Sequence, residues 1–281
     1  MEPTPWIAAL RRSHDALRAS VEPLDETGLR RQSYASEWSI AQVLSHLGSG
    51  AEIFGLFLDS GLRGAEPPGR ETFAPIWQAW NERSPQSQAT DALAADDALI
   101  KRLESLGPDE LGNLRLPLFG RDLDATGLAR LRLGEHAVHT WDVAVALDPA
   151  AMVAADAVSL LIDSLGPVAA RSGKPADGPL AVHVSTTEPA REFVIEAGGP
   201  VRLEPAQAEE NLPHADRDAP HADKDAPHAD KDAPQAELAH LRLPAEAFVR
   251  LVYGRLDPAH TPAVEATGVD LDDLRRIFPG F

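Results

Sequence analysis

The chain has 281 residues, no cysteine, 26 lysines and arginines against 44 aspartates and glutamates, and a formal net charge of −18. This length predicts one large domain or two small ones, each able to bury a core. The negative charge repels the phosphates of nucleic acids and of anionic lipids, so we expect neither as a partner. Without cysteine, the protein can form no disulfide and has no thiolate ligand or nucleophile, so any thiol chemistry must use a thiol from another molecule.

The opening of the chain carries charges where an export signal would need an apolar core. Glu2, Arg11, Arg12 and Asp15 all fall in this stretch, which argues against a signal peptide. No uninterrupted apolar run approaches the roughly 20 residues that a membrane-spanning helix needs. We therefore expect a cytoplasmic protein whose partners are small molecules or other proteins.

Before residue 150, apolar residues recur at spacings of three and four, which predicts helices. One helix start is well marked, because Ser39 and Gln42 match a capping box and Trp38 can pack on Val43 as a hydrophobic staple. Pro85 is expected to disturb the third helical region. Four long helices predict a bundle in residues 1–150. The apolar stripes fall in residues 7–17, 40–53, 73–106 and 125–147.

The sequence pattern changes in residues 151–281, where helical and strand-like segments are mixed, and this predicts a smaller α+β domain. A further helix is expected soon after Pro149, followed by short segments whose residues favour β-strands and which lie among glycine and proline. Helical spacing returns in residues 244–253 and 271–278. The four predicted strands contain residues 180–184, 193–195, 201–203 and 238–243.

A low-complexity insert interrupts this second domain at about residues 206–235. It contains three seven-residue units, 214–220, 221–227 and 228–234, each with one histidine and one proline. The proline in each unit rules out a continuous coiled coil. We interpret the insert as a solvated loop. The alternative is a segment that binds divalent ions weakly through its histidines and aspartates.

Titratable groups are concentrated in one otherwise apolar helical segment, residues 134–142. Glu135 and His139 are four residues apart and lie on one helix face, so together they can bind one metal ion. His136 and His139, three apart, can do the same, and the spacing does not choose between Glu135 and His136. The alternative is that Glu135 and His139 form only an i,i+4 pair on the helix surface. Asp142 is expected either to orient His139 by a hydrogen bond or to face water.

A two-residue metal site needs a third ligand from elsewhere, and His46 is the best candidate. It lies within the apolar stripe of the second helix, and ligands borne on helices converge in a bundle interior. Two histidines and a carboxylate suit zinc or a similar divalent ion and leave a position open for water or a sulfur ligand. The alternative for His46 is a hydrogen-bonded core histidine.

Other motifs carry less information. His14, His183, His240 and His260 have no suggestive partner nearby in the sequence. Residues 48–50, Gly-Ser-Gly, match neither a nucleophile elbow nor a phosphate loop and indicate close helix packing. Trp77 and Trp80, three apart, are more typical of a core than of a cofactor platform.

The segments 36–47 and 134–142 together resemble the mycothiol-dependent maleylpyruvate isomerase family of actinobacteria. The resemblance continues through residues 77–104, 243–247 and 251–256 and so covers most of the chain outside the insert. It implies an α+β protein, with a DinB-like four-helix bundle followed by a small α/β domain related to sterol carrier proteins. It also implies a bound divalent metal, usually zinc, with His46, Glu135 and His139 as ligands, and therefore favours Glu135 over His136.

The resemblance further implies an enzyme whose thiol is supplied by mycothiol. A thiol bound to the metal loses its proton, and the thiolate can add to a cis double bond and leave after rotation, or remain attached in S-transfer. The resemblance also implies that an arginine of the second domain takes part in activity. Arg255 is the position that matches it, and Arg250 is the second choice. Such an arginine could bind a substrate carboxylate. A non-catalytic metal-binding or stress-response module is the alternative function, because a shared scaffold does not fix a shared reaction.

Overall fold

A computed structural model describes residues 2–118, 120–206 and 238–280 of the chain. Apart from residue 206, the predicted insert and its three histidines lie outside the described residues. The described chain contains helices first and a mixed sheet afterwards, which confirms the predicted α+β class. Eleven α-helices and seven strands are found within these described ranges.

The first half of the chain is a bundle built on four long helices. Helix α1 packs against α5 and α7, and α3 packs against the same two helices. Their inward stripes are formed by leucine, isoleucine, valine and alanine, which bury the apolar face of each helix. Within the described residues, the helices of this half are α1 (Thr4–Val21), α2 (Glu26–Leu29), α3 (Ile40–Arg63), α4 (Phe73–Asn81), α5 (Pro85–Ser105), α6 (Pro108–Asn113) and α7 (Ala125–Leu147).

The start of α3 has the predicted capping box. The Ser39 side chain accepts from the backbone N–H of Gln42, and the Gln42 side chain accepts from the backbone N–H of Ser39. The predicted third helix is divided at its proline, because α4 ends at Asn81 and α5 begins at Pro85 with Ser84 as its cap. Proline suits a first helical position, since its missing N–H would have no partner there.

A short hairpin between α6 and α7 was not predicted from the sequence. Strands β1 (Leu116–Leu118) and β2 (Arg121–Leu123) pair antiparallel. Asp124 then caps α7 by accepting a hydrogen bond from the backbone N–H of Gly127. The hairpin is too short to show the alternation on which strand prediction depends.

The second half contains a five-stranded sheet in the order β5-β4-β3-β6-β7. Strands β3 and β6 are parallel, and the other neighbours are antiparallel. Alternate residues of β3, such as Val182 and Val184, face the core. The elements of this half are α8 (Ala155–Leu161), α9 (Gly166–Ser172), β3 (Ala181–Thr187), β4 (Arg191–Glu196), β5 (Arg202–Pro205), β6 (Ala239–Pro244), α10 (Ala245–Val252), β7 (Glu265–Thr267) and α11 (Leu271–Ile277).

Buried apolar residues form a continuous core from the bundle into the sheet. One cluster contains Trp6 and Leu133 of the bundle together with Val182, Phe248 and Phe278 of the second half. The division of the chain at residue 150 therefore stays a prediction about domains. Among the described helices, none combines the length and the apolar character that crossing a membrane requires.

The close packing predicted for residues 48–50 is confirmed, and it gives a matched pair of variants within α3. A Cβ atom at Gly48 would overlap the ring of Trp80, whereas one at Gly55 would meet no atom within 4 Å. We expect Gly48→Ala to destabilise the protein by about 1–3 kcal/mol through overpacking. Gly55→Ala should stabilise it by about 0.5–1 kcal/mol, because alanine is the better helix former. Urea unfolding of both variants measures the difference, and equal effects would contradict the packing.

Candidate metal centre

The structure brings together the three residues that the sequence predicts as metal ligands. His46 lies on α3, and Glu135 and His139 lie one turn apart on α7. The Nε2 atom of His46 is 3.4 Å from Oε2 of Glu135, and the Nε2 atom of His139 is 3.9 Å from the same oxygen. One ligand atom from each residue falls within 4.8 Å of the other two. Ligands of a tetrahedral zinc ion lie roughly 3.3 Å apart, so this spacing suits a shared metal.

Solvent can reach one side of this cluster. The side chains of His46 and Glu135 are 35% and 36% exposed, while that of His139 is 10% exposed. The ring of Trp38 packs beside both histidines, with its centroid 5.1 Å from that of His46 and 6.0 Å from that of His139. The cluster is therefore half-enclosed, as expected of a site that exchanges a small ligand.

The ionisation states of the cluster favour metal binding. Burial opposes ionisation of Glu135, but the hydrogen bond with His46 and the proximity of His139 outweigh it and lower the pKa of Glu135 to about 2. Burial lowers the pKa of His139, against the opposing influence of Asp142. At neutral pH the carboxylate is thus charged and the His139 imidazole is neutral, which are the forms that bind a divalent cation.

A buried ion pair lies behind His139. Asp142 has no exposed side-chain surface, and its Oδ2 atom accepts a hydrogen bond from Nδ1 of His139 over 2.8 Å. This bond leaves Nε2 of His139 as the nitrogen that faces Glu135. The orienting role predicted as one alternative for Asp142 is therefore the one observed, and such partners fix a histidine for metal binding.

Arg255 forms the other half of this ion pair. Its Nε and one terminal nitrogen lie 3.3 and 3.1 Å from the two carboxylate oxygens of Asp142, and the other terminal nitrogen donates to the carbonyl oxygen of Tyr253 over 2.7 Å. The guanidinium is committed to these contacts, so its geometry fits the positioning of Asp142 better than the expected capture of a substrate carboxylate. A direct catalytic role for Arg255 stays a prediction from the sequence.

Arg250, the reserve candidate, is also committed to structural contacts. It forms a buried two-pronged ion pair with Glu246 on the same helix. It also donates to the carbonyl oxygens of Arg255 and His260, and its guanidinium lies 4.8 Å from the centre of the Trp141 ring. These bonds hold the segment that follows α10 against α7.

A second cluster of possible ligands lies deeper in the bundle and was not predicted. Nδ1 of His14 and Nε2 of His136 lie 3.0 and 2.6 Å from Oδ2 of Asp96. The side chains of the three residues are 0–3% exposed. The carboxylate partner of His14 is not near it in the sequence, as expected, and the structure shows it 82 residues away on α5.

The contacts of the second cluster fit a hydrogen-bond network better than a metal site. Arg132 donates to Oδ1 of Asp96 over 2.6 Å, so the single carboxylate is already neutralised by a buried cation. The hydroxyl of Ser13 lies 2.8 Å from Nδ1 of His136, and Arg18 lies 3.2 Å from Nε2 of His14. A divalent ion here would add two uncompensated charges to a dry interior. The reachable cluster of His46, Glu135 and His139 is therefore the better metal candidate, and the structure commits His136 elsewhere.

The ion pair of Asp96 and Arg132 predicts how stability depends on pH. Burial opposes ionisation of Asp96, but His136 and Arg132 outweigh it and hold the pKa of Asp96 well below its usual range. The charged pair therefore contributes its full stability above the unfolded pKa of about 4 and loses it as the pH falls through the folded pKa. At neutral pH, Asp96→Asn should cost about 3–5 kcal/mol. Unfolding experiments from pH 7 to pH 2 should show this difference shrinking, and a constant difference would contradict the assignment.

A cavity of about 470 Å³ lies beside the loop before α3 and the segment after α10. Its lining includes Tyr34 and His260, and Nδ1 of His260 lies 2.8 Å from Oδ1 of Asp257. His260 thus has a partner three residues away that the sequence analysis overlooked. None of the three candidate ligands lines this cavity. The backbone N–H of Tyr34 donates to the carbonyl oxygen of Asp142, which links the cavity wall to α7.

Fold and site together define a helical bundle with one reachable His-Glu-His cluster, joined to a sheet-containing second half. Residues 10–144 match the family model of the mycothiol maleylpyruvate isomerase N-terminal domain. Residues 10–144 therefore contain a domain of the mycothiol maleylpyruvate isomerase type, which confirms the resemblance expected from segments 36–47 and 134–142.

Two solved structures have a similar fold over nearly the whole chain. One is the crystal structure of the mycothiol-dependent maleylpyruvate isomerase, and the other is a histidine-to-alanine mutant of that protein. Each has a TM-score of 0.61 and 12% sequence identity, and the match covers 91% of this chain and 90% of the other. At this identity the similarity establishes the fold alone. No match was found among curated proteins.

Proposed function

We propose that the protein is a metal-dependent enzyme that uses mycothiol to isomerise, or to form a thioether with, a small electrophile. The observation that carries this proposal is the reachable cluster of His46, Glu135 and His139, in a chain whose N-terminal domain belongs to the mycothiol maleylpyruvate isomerase family. The chain has no cysteine of its own. A thiol reaction here therefore requires a thiol from another molecule.

The three ligands fit a divalent ion, with zinc as the proposed metal, because two imidazoles and one carboxylate are a common zinc-binding set. When bound, such an ion supplies a Lewis acid that lowers the pKa of a coordinated thiol and so provides a thiolate at neutral pH. The residues of the chain hold and orient this centre. Asp142 keeps the Nε2 atom of His139 directed towards Glu135, and Arg255 keeps Asp142 charged and fixed.

The other half of the reaction is the electrophile, whose class we propose from the chemistry of a thiolate. A soft sulfur nucleophile adds readily to a carbon–carbon double bond conjugated to a carbonyl group. If the sulfur leaves after rotation, the double bond forms again and the result is isomerisation. If the sulfur stays and the enolate carbon takes up a proton, the result is a thioether, which is S-transfer.

The proposal is tested by incubating zinc-loaded protein and mycothiol with a panel of small electrophiles that includes maleylpyruvate. Ultraviolet absorbance follows cis–trans isomerisation, and mass spectrometry detects a mycothiol conjugate. We expect turnover of at least one compound that requires both the protein and the thiol. A metal-loaded protein that turns over none of the panel would contradict the enzyme proposal and favour a non-catalytic metal-binding module.

A further inference from the structure

Tyr253 occupies a tight turn that joins the second half of the chain to the metal centre. The residue follows the last turn of α10, and its carbonyl oxygen accepts a hydrogen bond from Arg255. Gly254 has a φ of 71°, a backbone conformation that favours glycine. A Cβ atom at Gly254 would also overlap the backbone of Gly280. A chain of hydrogen bonds through Arg255 and Asp142 thus links the backbone of Tyr253 to His139 and fixes its position.

The side chain of Tyr253 is directed at α7 beside a candidate ligand. Tyr253 is only 7% exposed, and its hydroxyl oxygen would lie 2.6 Å from a Cβ atom built on Gly134. Gly134 immediately precedes Glu135, so the absence of a side chain there makes room for the hydroxyl. Among the described residues the hydroxyl oxygen makes no hydrogen bond, and it is not sealed from solvent, since the fully enclosed side-chain atoms without a hydrogen-bond partner are Nε of Arg132 and Nε2 of His136. The hydroxyl is therefore free to donate to a small molecule bound beside α7.

The surroundings of the hydroxyl keep its proton in place. Burial raises the pKa of Tyr253 well above its ordinary value, and the negative charge of Glu135 raises it further. The group is therefore a neutral phenol at every physiological pH. It can donate its proton in a hydrogen bond, so an acceptor oxygen is a suitable partner.

We infer that the hydroxyl of Tyr253 donates a hydrogen bond to an oxygen atom of the electrophile bound at the His46, Glu135 and His139 cluster. The inference rests on the proposed function and names the substrate class more closely, as a carbonyl or carboxylate compound. When a thiolate adds to a conjugated double bond, negative charge moves to the carbonyl oxygen. A fixed donor stabilises this charge without giving up its proton, and loss of one such donor typically lowers kcat by about 10² to 10³.

Tyr253→Phe is the direct test, because it removes the hydroxyl and keeps the ring. We expect kcat to fall by about 10² or more, with zinc content and the KM for mycothiol unchanged. The control is Tyr34→Phe, which alters the other of the two tyrosines in the chain and should retain wild-type kcat. A Tyr253→Phe variant that keeps its zinc and at least half of the wild-type kcat would overturn the inference.

A second measurement does not depend on turnover and so separates this inference from the proposed function. Protein labelled with ¹³C at the tyrosine Cζ position gives two NMR signals, which the two phenylalanine variants assign. Pyruvate serves as the probe, because it has carbonyl and carboxylate oxygens and no carbon–carbon double bond to which a thiolate could add. Titration of the zinc-loaded protein with pyruvate should move the Tyr253 signal and leave the Tyr34 signal in place. An unmoved Tyr253 signal would overturn the donor role even where the enzyme proves active.

Gly134→Ala tests the placement of the hydroxyl by a different route. The added methyl group occupies the space of the Tyr253 hydroxyl, so this variant should reproduce the loss of kcat. Combining it with Tyr253→Phe relieves the overlap, and the double variant should unfold at a higher urea concentration than Gly134→Ala alone. Additive effects of the two substitutions on stability would contradict the contact.

Discussion

His139→Ala is expected to lose both bound metal and mycothiol-dependent turnover while the protein remains folded. The substitution removes one of three ligands, and loss of even an outer hydrogen-bond partner of a ligand weakens metal binding by about 10- to 100-fold. We therefore expect metal affinity to fall by on the order of 100-fold or more. The fold should survive, because Asp142 keeps its ion pair with Arg255. Metal analysis after dialysis and a turnover assay measure the two effects.

The matched control is His14→Ala, which alters a histidine of the buried second cluster. Its side chain has no exposed surface and lies 3.0 Å from Asp96. We expect this variant to lose about 1–3 kcal/mol of stability through the broken hydrogen bond and to keep its metal. A reversed pattern, in which His14→Ala loses metal and His139→Ala retains it, would place the metal in the second cluster.

Separating Asp142 from Arg255 is expected to be the most destabilising change near the site. Asp142 is fully buried and Arg255 is 10% exposed, so removal of one partner leaves a charge without compensation in the interior. Asp142→Leu and Arg255→Met should each cost about 3–5 kcal/mol. The double variant should cost much less than the sum, because the two charges disappear together. Urea unfolding of the four proteins measures the interaction.

The same variants distinguish the two roles considered for Arg255. If Arg255 positions Asp142, then Arg255→Met should weaken zinc binding by about 10- to 100-fold through the loosened His139. If it binds a substrate carboxylate instead, the variant should raise the KM for the electrophile and leave zinc affinity unchanged. The contacts in the structure favour the first result.

The long helices could be predicted because their signals are local. The cap at Ser39 and the stripe that follows it lie within a few turns, and α7 runs over the predicted range from Ala125 to Leu147. The cluster of His46, Glu135 and His139 could be predicted from the sequence for a related reason. Two ligands share one helix turn, so only one long-range partner had to be inferred.

The remaining contacts depend on tertiary packing that no local pattern contains. Asp96 meets His14 and His136 only because α1, α5 and α7 pack around it, and it looks like an ordinary surface residue in the sequence. Arg255 meets Asp142 across 113 residues. Trp77, expected in the core with Trp80, is 46% exposed, since residues three apart on a short helix need not share a buried face.

The metal content of the natively purified protein, followed by calorimetric titration with mycothiol before and after chelation, tests the central claim most directly. We expect about one tightly bound divalent ion per chain, as for a single site with three protein ligands. Mycothiol binding should disappear on chelation and return when zinc is restored. A protein that binds no metal tightly even after reconstitution, or that binds mycothiol equally well without metal, would contradict the proposed metal–thiol centre.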